Sequence, residues 1–408
     1  MKNSLLCLLP PLVLLCAAGA AYGQPEQLQF AVVLTRHGVR SPTWEPERLN
    51  GYSSAAWPSW GVAPGELTPH GRELVKTMGG FYREYFSALL ARPGCASKVY
   101  FRADSAQRTL ETARALAEGM MPGCKVEIHA NPQDVRDTLF DGTEAGPAKL
   151  DPKLALAAVA GRLGPEPQAI IDAHRTALDT LNRVLNGTGK AAHSIFDEPF
   201  ALTASKGTVG MSGPLSLAST LSEDLLLEYA DGMSAAKLGW GRLTAENLLE
   251  VMSLHAAYAD LMRRTPYLAR TRGSNLLGYI VKAMEQAASG KAAAPVLVIS
   301  GHDTNLSNLS GMLGLSWLLP GYQADDTPPG GALVFSLWTS AGLYSVRLQY
   351  AAQTLEQMHD GTALSRTNPP AIADVFVPGC SSGAEGYPCS WEEFRDVAAK
   401  AIVAGMAK

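Results

Sequence analysis

Phe30-Ala31-Val32-Val33-Leu34-Thr35 runs straight into Arg36-His37-Gly38-Val39-Arg40-Ser41-Pro42. The first six residues form a short apolar run with β-branched members, which reads as a strand buried on both faces. Such strands belong to parallel sheets covered by helices on either side. The loop that leaves the strand sets two arginines around a histidine. Arginine presents a planar fork of donors that matches phosphate oxygens. Histidine serves as nucleophile or general base. Gly38 is expected to let the backbone come close to a ligand, and Pro42 stiffens the exit. Read alone, a strand end of this kind is a charged surface turn. Concentrating Arg, His, Gly, Arg and Pro in so short a loop argues for anion chemistry instead.

Working outward, strand and helix signals alternate at both ends of the chain. Lys98–Arg102 reads as a strand, followed by a helix capped by Ser105 and ending near Gly119. Val126–His129, Pro295–Ser300, Ala332–Leu337 and Tyr344–Leu348 read as further strands. The expected fold is α/β: a three-layer sandwich with a mostly parallel central sheet. The middle is different. Asp151-Pro152 opens a helix by cap and first-turn proline. Ile170, His174, Leu178, Leu181 and Leu185 share one stripe ending at Asn186-Gly187. Leu217, Leu221 and Leu225 share another, stopped by Gly232, and Thr244 opens a third helix stopped by Thr265-Pro266. The expectation is an α/β domain from residues 24–135 and 266–408, interrupted by a mainly helical insertion at 136–265. His174 and His255 within these helices read as core or rim residues.

Residues 1–23 combine a charged start, a short apolar stretch and small residues near Ala20 and Gly23, which describes a cleavable signal peptide. Pro10 and Pro11 and the short apolar stretch argue against a membrane anchor. Export to the periplasm, or beyond it, is expected, with no membrane attachment after cleavage. Cys7 and Cys16 lie in this leader, leaving Cys95, Cys124, Cys380 and Cys389. An even number in an exported chain points to disulfides, and sequence proximity favours Cys95–Cys124 and Cys380–Cys389 among three pairings. The net charge of −4 excludes the basic excess expected of a nucleic-acid binder.

Gly301-His302-Asp303-Thr304-Asn305 follows the Pro295–Ser300 strand and opens a helix. Ligands in open α/β sheets bind outside the carboxyl ends of strands, so the fold can bring His302 and Asp303 to His37. Arg108, in the first turn of the helix after Arg102, is placed the same way. Together these residues describe phosphoryl transfer, which needs positioning and charge neutralisation above all. Arg36, Arg40 and Arg108 would clamp the non-bridging oxygens, with His302 as a further donor. His37 would attack phosphorus. Asp303 would protonate the leaving oxygen and then activate water. The arginines should depress the pKa of His37, and Asp303 is more readily protonated in acid. An acid pH optimum is therefore expected. The chemistry requires no metal and no other cofactor. A non-catalytic exported protein that merely binds phosphate esters is the reading of another class, opposed by the intact His37 and Asp303.

At these residues the chain resembles the histidine acid phosphatases, with their R-H-G-x-R-x-P loop and distal H-D motif. The resemblance implies phosphohistidine formation at His37, proton donation by Asp303 and a third phosphate-binding arginine at Arg108. It extends to the bacterial periplasmic phytases and glucose-1-phosphatases through Trp57-Pro58-Ser59-Trp60, Leu67-Thr68-Pro69-His70-Gly71, Gly239-Trp240-Gly241-Arg242, Arg264-Thr265-Pro266 and Thr327-Pro328-Pro329-Gly330-Gly331. It implies an active site between the α/β and helical parts, and it supports the two local disulfides, although the extra cysteine pairs of the best-known phytases are missing. Thr304, Gly38, Thr43 and Arg272 look phytase-like, with Thr43 and Arg272 as substrate-binding residues. Trp44 stands where such a phytase has lysine. The expected substrate is a small phosphate monoester, with phytate ahead of glucose 1-phosphate or other sugar phosphates.

Overall fold

The computed structural model describes residues 25–406 apart from 92, 93, 96, 144, 145, 147 and 206. The segment read as a signal peptide lies outside the described residues. In chain order the first part holds β1 (Gln27–Arg36), α1 (Pro46–Asn50), α2 (Pro69–Tyr85), α3 (Ser87–Leu90), β2 (Val99–Ala103), α4 (Gln107–Met120) and β3 (Ile128–His129). A helical middle follows with α5 (Pro152–Leu163), α6 (Gln168–Ala173) and α7 (Arg175–Asn186), then the hairpin β4 (Ala201–Ser205) and β5 (Thr208–Ser212), then α8 (Pro214–Ala230) and α9 (Ala245–Met262). The chain returns through α10 (Pro266–Ala288), β6 (Val296–Gly301) and α11 (Asp303–Leu313) to β7 (Ala332–Ser340), β8 (Leu343–Ala352), α12 (Leu355–His359), β9 (Ala371–Val375), β10 (Cys389–Ser390) and α13 (Trp391–Ala401).

The main sheet has the order β10-β8-β7-β1-β6-β2-β3, with β9 also paired to β8. Its core strands β1, β6, β2 and β3 run parallel, and β7 to β10 continue it antiparallel. β1 lies between β6 and β7, with Val33 opposite Val298 on one side and Val334 on the other. Its side chains alternate between two cores. Ala31 and Val33 join Val75 and Met78 of α2 and Leu116 of α4. Val32 and Leu34 join Leu277 and Ile280 of α10 and Leu306 and Leu309 of α11. A strand buried on both faces explains the unbroken apolar run. Each large side chain so buried contributes roughly 1.5–3 kcal/mol. The helices therefore form layers on both sides, giving the expected α/β sandwich.

Local details differ from the sequence expectations. Ala106, not Ser105, is the N-cap of α4, and no side chain caps it. The helix ends at Met120, beside Gly119 as expected. A Cβ on Gly119 would stand 2.0 Å from the Lys76 carbonyl oxygen, so the glycine lets α2 and α4 meet backbone to backbone. Only Ile128 and His129 of the third strand pair with β2. The Ile170–Leu185 stripe is two helices. His174 ends α6, its Nδ1 donating to the Ile170 carbonyl, and α7 starts at Arg175. The middle also contains the β4–β5 hairpin, which was not expected. Asp151 and Thr244 do cap their helices, the latter through a capping box with Asn247. Disulfides join Cys95 to Cys124 and Cys380 to Cys389, with Cα atoms 5.6 and 5.2 Å apart.

Candidate active site

Three parallel strands end at one place, and each delivers part of the site. β1 leads into Arg36–Arg40, β2 into Asp104–Arg108, and β6 into His302 and Asp303. The arginine-histidine loop is fixed by its backbone. The His37 amide donates to the Gly301 carbonyl at 2.9 Å, and the Gly330 amide donates to the His37 carbonyl at 2.9 Å. The Gly38 amide donates to Thr112 Oγ1 at 2.9 Å. A Cβ on Gly38 would lie 2.5 Å from Val75 Cγ2, so the glycine permits close approach of the loop to α2. Gly71 has the same role from the α2 side, because its Cβ would stand 2.2 Å from the Val39 carbonyl oxygen.

His37 is buried, and its Nδ1 lies 2.9 Å from the Gly38 carbonyl oxygen. A carbonyl only accepts, so Nδ1 carries the hydrogen and Nε2 keeps its lone pair. Burial, then Arg108, Arg36, His302 and Arg40, hold this imidazole well below its ordinary pKa. The His302 ring stands edge-on to it at 5.6 Å. His302 Nε2 lies 2.7 Å from Asp104 Oδ2, and its Nδ1 is 3.5 Å from Arg108 Nη2.

The arginines are held by acids that the sequence reading did not single out. Arg36 donates through Nη2 to Glu223 and through Nη1 to the Thr327 carbonyl at 2.7 Å. Glu223 also lies 3.4 Å from Arg40 Nη2. Burial opposes the Glu223 charge, but Arg36 and Arg40 outweigh it and bring the carboxyl down to about 2. The neighbouring Asp224, 4.0 Å from Arg40 Nη1, is driven well above the ordinary range, mainly by burial. A Glu-Asp pair inside the Leu217–Leu225 apolar stripe was the available signal, since buried charges need partners. After these contacts the Nε–H donors of Arg36 and Arg108 remain buried without a partner among the described residues. Buried donors are rarely left unmatched, and both belong to the residues expected to clamp phosphate.

Asp303 Oδ2 accepts from Arg263 Nη1 at 2.6 Å, and Oδ1 accepts from the Thr304 amide at 2.7 Å. Burial would raise its pKa, but Arg263, Arg36, His255 and His37 hold it well below the usual carboxylate range. In the free protein Asp303 therefore stays ionised further into acid than an ordinary carboxyl. Arg263 is the group that sequence reading missed, although Arg264 beside it lay in a noted segment.

A cavity of about 650 Å³ adjoins the site, sharing Arg108, His302, Thr304 and Arg263 with it. Arg136 and Arg272 extend its basic wall, and Asp104, Asp134, Asp137 and Asp141 face the same space. Asp137 is paired with Arg102, and Asp141 with Arg136. Arg272 donates to the Met262 carbonyl at 2.9 Å. Thr43 is exposed and lies beside Gly65. A Cβ on Gly65 would sit 3.5 Å from Thr43 Cγ2 and 3.7 Å from Arg108 Nη1. Trp44 lines a separate groove with Trp57 and Trp60, under the Arg48 guanidinium at 3.5 Å. Of the two helical histidines, His174 lies at the α6–α7 break. His255 is placed beside Glu223 and Asp303.

A buried histidine, an arginine cluster and a carboxyl group meet on parallel strand ends, the arrangement of a phosphomonoesterase. The chain belongs to the histidine phosphatase superfamily (branch 2), whose model it matches over residues 27–351. It is 36% identical to phytase AppA of Escherichia coli (strain K12), over 94% of either chain. It is 30% identical to glucose-1-phosphatase of Providencia rettgeri, over 92% of either chain. The solved Hafnia alvei phytase in complex with myo-inositol hexakis sulphate superposes with TM-score 0.86 at 34% identity, covering 94% of this chain and 99% of that one.

Proposed function

We propose that the protein is a phytase: it releases phosphate from myo-inositol hexakisphosphate through a phosphohistidine on His37. The observation that carries this reading is the His37 ring itself. Its Nδ1 is committed to the Gly38 carbonyl, which leaves Nε2 nucleophilic among Arg36, Arg40, Arg108 and His302. Arg36, Arg40 and Arg108 hold the transferring phosphoryl group, with His302 as a further donor. Its dianionic charge offsets the arginine field and so lifts Asp303 toward protonation. Asp303 then gives its proton to the leaving oxygen and takes one from the water that hydrolyses the phosphoenzyme. The inositol ring and its remaining phosphates occupy the adjoining cavity, whose size suits a ligand of that class. Arg272 and Thr43 bind substrate beyond the reacting phosphate.

One feature favours a sugar phosphate as the second reading. Four aspartates share the cavity wall with the four arginines, which weakens its attraction for a polyanion. Initial rates on phytate and glucose 1-phosphate in acid separate the two. Phytate is expected to be the faster; negligible phytate turnover removes the first reading. The disulfides suit export by a cleavable signal peptide to the periplasm. The division into 24–135 with 266–408 and 136–265 is retained as the domain assignment, and no metal participates. Full turnover in excess chelator is expected, and its loss would contradict that mechanism.

A further inference from the structure

His255 on α9 is almost fully buried, and the reaction as described leaves it unused. Its Nδ1 lies 3.1 Å from the Ser219 carbonyl oxygen and 3.2 Å from Ser219 Oγ. The carbonyl fixes the hydrogen on Nδ1, so Nε2 is the nitrogen free to exchange a proton. A ring nitrogen of His255, a Glu223 carboxylate oxygen and an Asp303 carboxylate oxygen lie within 4.8 Å of one another. This spacing would also serve a cation. However, Glu223 already accepts from Arg36, and Asp303 from Arg263, so two guanidinium charges stand against one. The charged groups that act on the imidazole are Glu223 from α8, Asp303 from α11 and Asp326 from the loop before β7; Arg36 from β1 and Arg263 at the end of its own helix stand behind the first two. The buried faces of α5 and α7, which also pack on α9, carry no ionisable side chain.

We infer that His255 is the proton relay that charges and recharges Asp303. It is a positioning residue, because it acts on the ester only through Asp303. The inference rests on the acid role proposed above for that residue. In the first half-reaction the His37 Nε2–phosphorus bond forms and the ester P–O bond breaks. The leaving oxygen takes the proton of Asp303, and Asp303 takes one from His255 Nε2. In the second, Asp303 first returns that proton to His255 Nε2 and is ionised again. Water then attacks phosphorus, the His37–phosphorus bond breaks and the water proton passes to Asp303, so the cycle closes with no net change in the protein.

The test compares leaving groups. An aryl phosphate departs with little help, whereas an alkyl phosphate needs the proton. His255→Asn keeps an amide donor near the Nδ1 position for the Ser219 carbonyl and removes Nε2. It is expected to lose at least about tenfold more kcat/KM on glycerol 2-phosphate than on 4-nitrophenyl phosphate, a fraction of the 10²–10⁴ general-acid effect. Asp303→Asn is measured in parallel. If it shows the leaving-group difference and His255→Asn does not, the relay is overturned and the acid role stands. If Asp303→Asn also loses both substrates equally, the acid role itself fails. Should His255→Asn not fold, His255→Gln is read by the same criterion, and equal losses on the two substrates overturn the relay.

Discussion

At the scale of single residues, the proposed mechanism sets two groups against their ordinary protonation. In it His37 attacks as the neutral ring, and burial with Arg108, Arg36, His302 and Arg40 around it favours that form. Its folded pKa lies below the ordinary value, so the neutral ring persists far into acid and does not set the optimum. In the proposed mechanism Asp303 carries a proton, yet Arg263 and Arg36 favour its ionised form against burial. Activity should therefore decline as pH rises through the Asp303 pKa in the substrate complex, giving an acid optimum. Arg263→Gln removes the nearest cation and lets that pKa rise. The alkaline limb of the kcat profile should move upward by about one unit, which corresponds to roughly 1.4 kcal/mol of differential interaction. An unmoved or lowered limb would show that Arg263 does not govern Asp303.

At the scale of elements, the run Phe30–Thr35 was readable because both faces of β1 are buried, which leaves no polar alternation to confuse it. The Arg36–Pro42 loop and His302-Asp303 were readable because each directly follows such a strand. Glu223, Asp104 and Arg263 were not singled out, because each acts through a partner remote in sequence: Arg36, His302 and Asp303. The hairpin β4–β5 was missed because its strands carry small residues such as Ala201, Ala204 and Gly210. The α6–α7 break was missed because the apolar stripe continues across it in phase. On α8, Glu228 is buried, accepts from the Gly239 amide at 2.9 Å and leaves Oε1 unpaired among the described residues. Burial raises its pKa from 4.5 to about 7. The folded state thus holds the proton more tightly than the unfolded chain. Stability is complete below the unfolded value and is lost as pH rises from there through about 7. Glu228→Gln keeps the acceptor and removes the titration. Unfolding free energies from urea titrations at pH 5 and pH 8 should differ for the parent and not for the variant, by on the order of 3 kcal/mol. Parallel values would contradict a protonated Glu228.

At the scale of the whole molecule, the parallel core strands gather distant segments, and the helical middle supplies Glu223 and His255 from above. The residues flanking the site brace that arrangement. Trp240 donates to the Ala56 carbonyl at 2.8 Å and meets Trp57 edge-on at 5.0 Å. Thr68 caps α2 and donates to Asp231 beyond α8. The Cys95–Cys124 link closes 29 residues. In the chain-entropy account it contributes about 3–4 kcal/mol, so Cys95→Ser with Cys124→Ser should lower the urea midpoint while leaving the aryl phosphatase pH optimum in place. An unchanged midpoint would mean that the link adds no net stability. The central claim, covalent catalysis at His37, is tested most directly by acid-free rapid quench with a labelled phosphate ester, followed by peptide mapping. The account predicts an acid-labile phosphoryl group on the His37 peptide at up to one per chain, absent from His37→Ala, which should also lose aryl phosphate turnover. Label on another residue, or full turnover by His37→Ala, would contradict it.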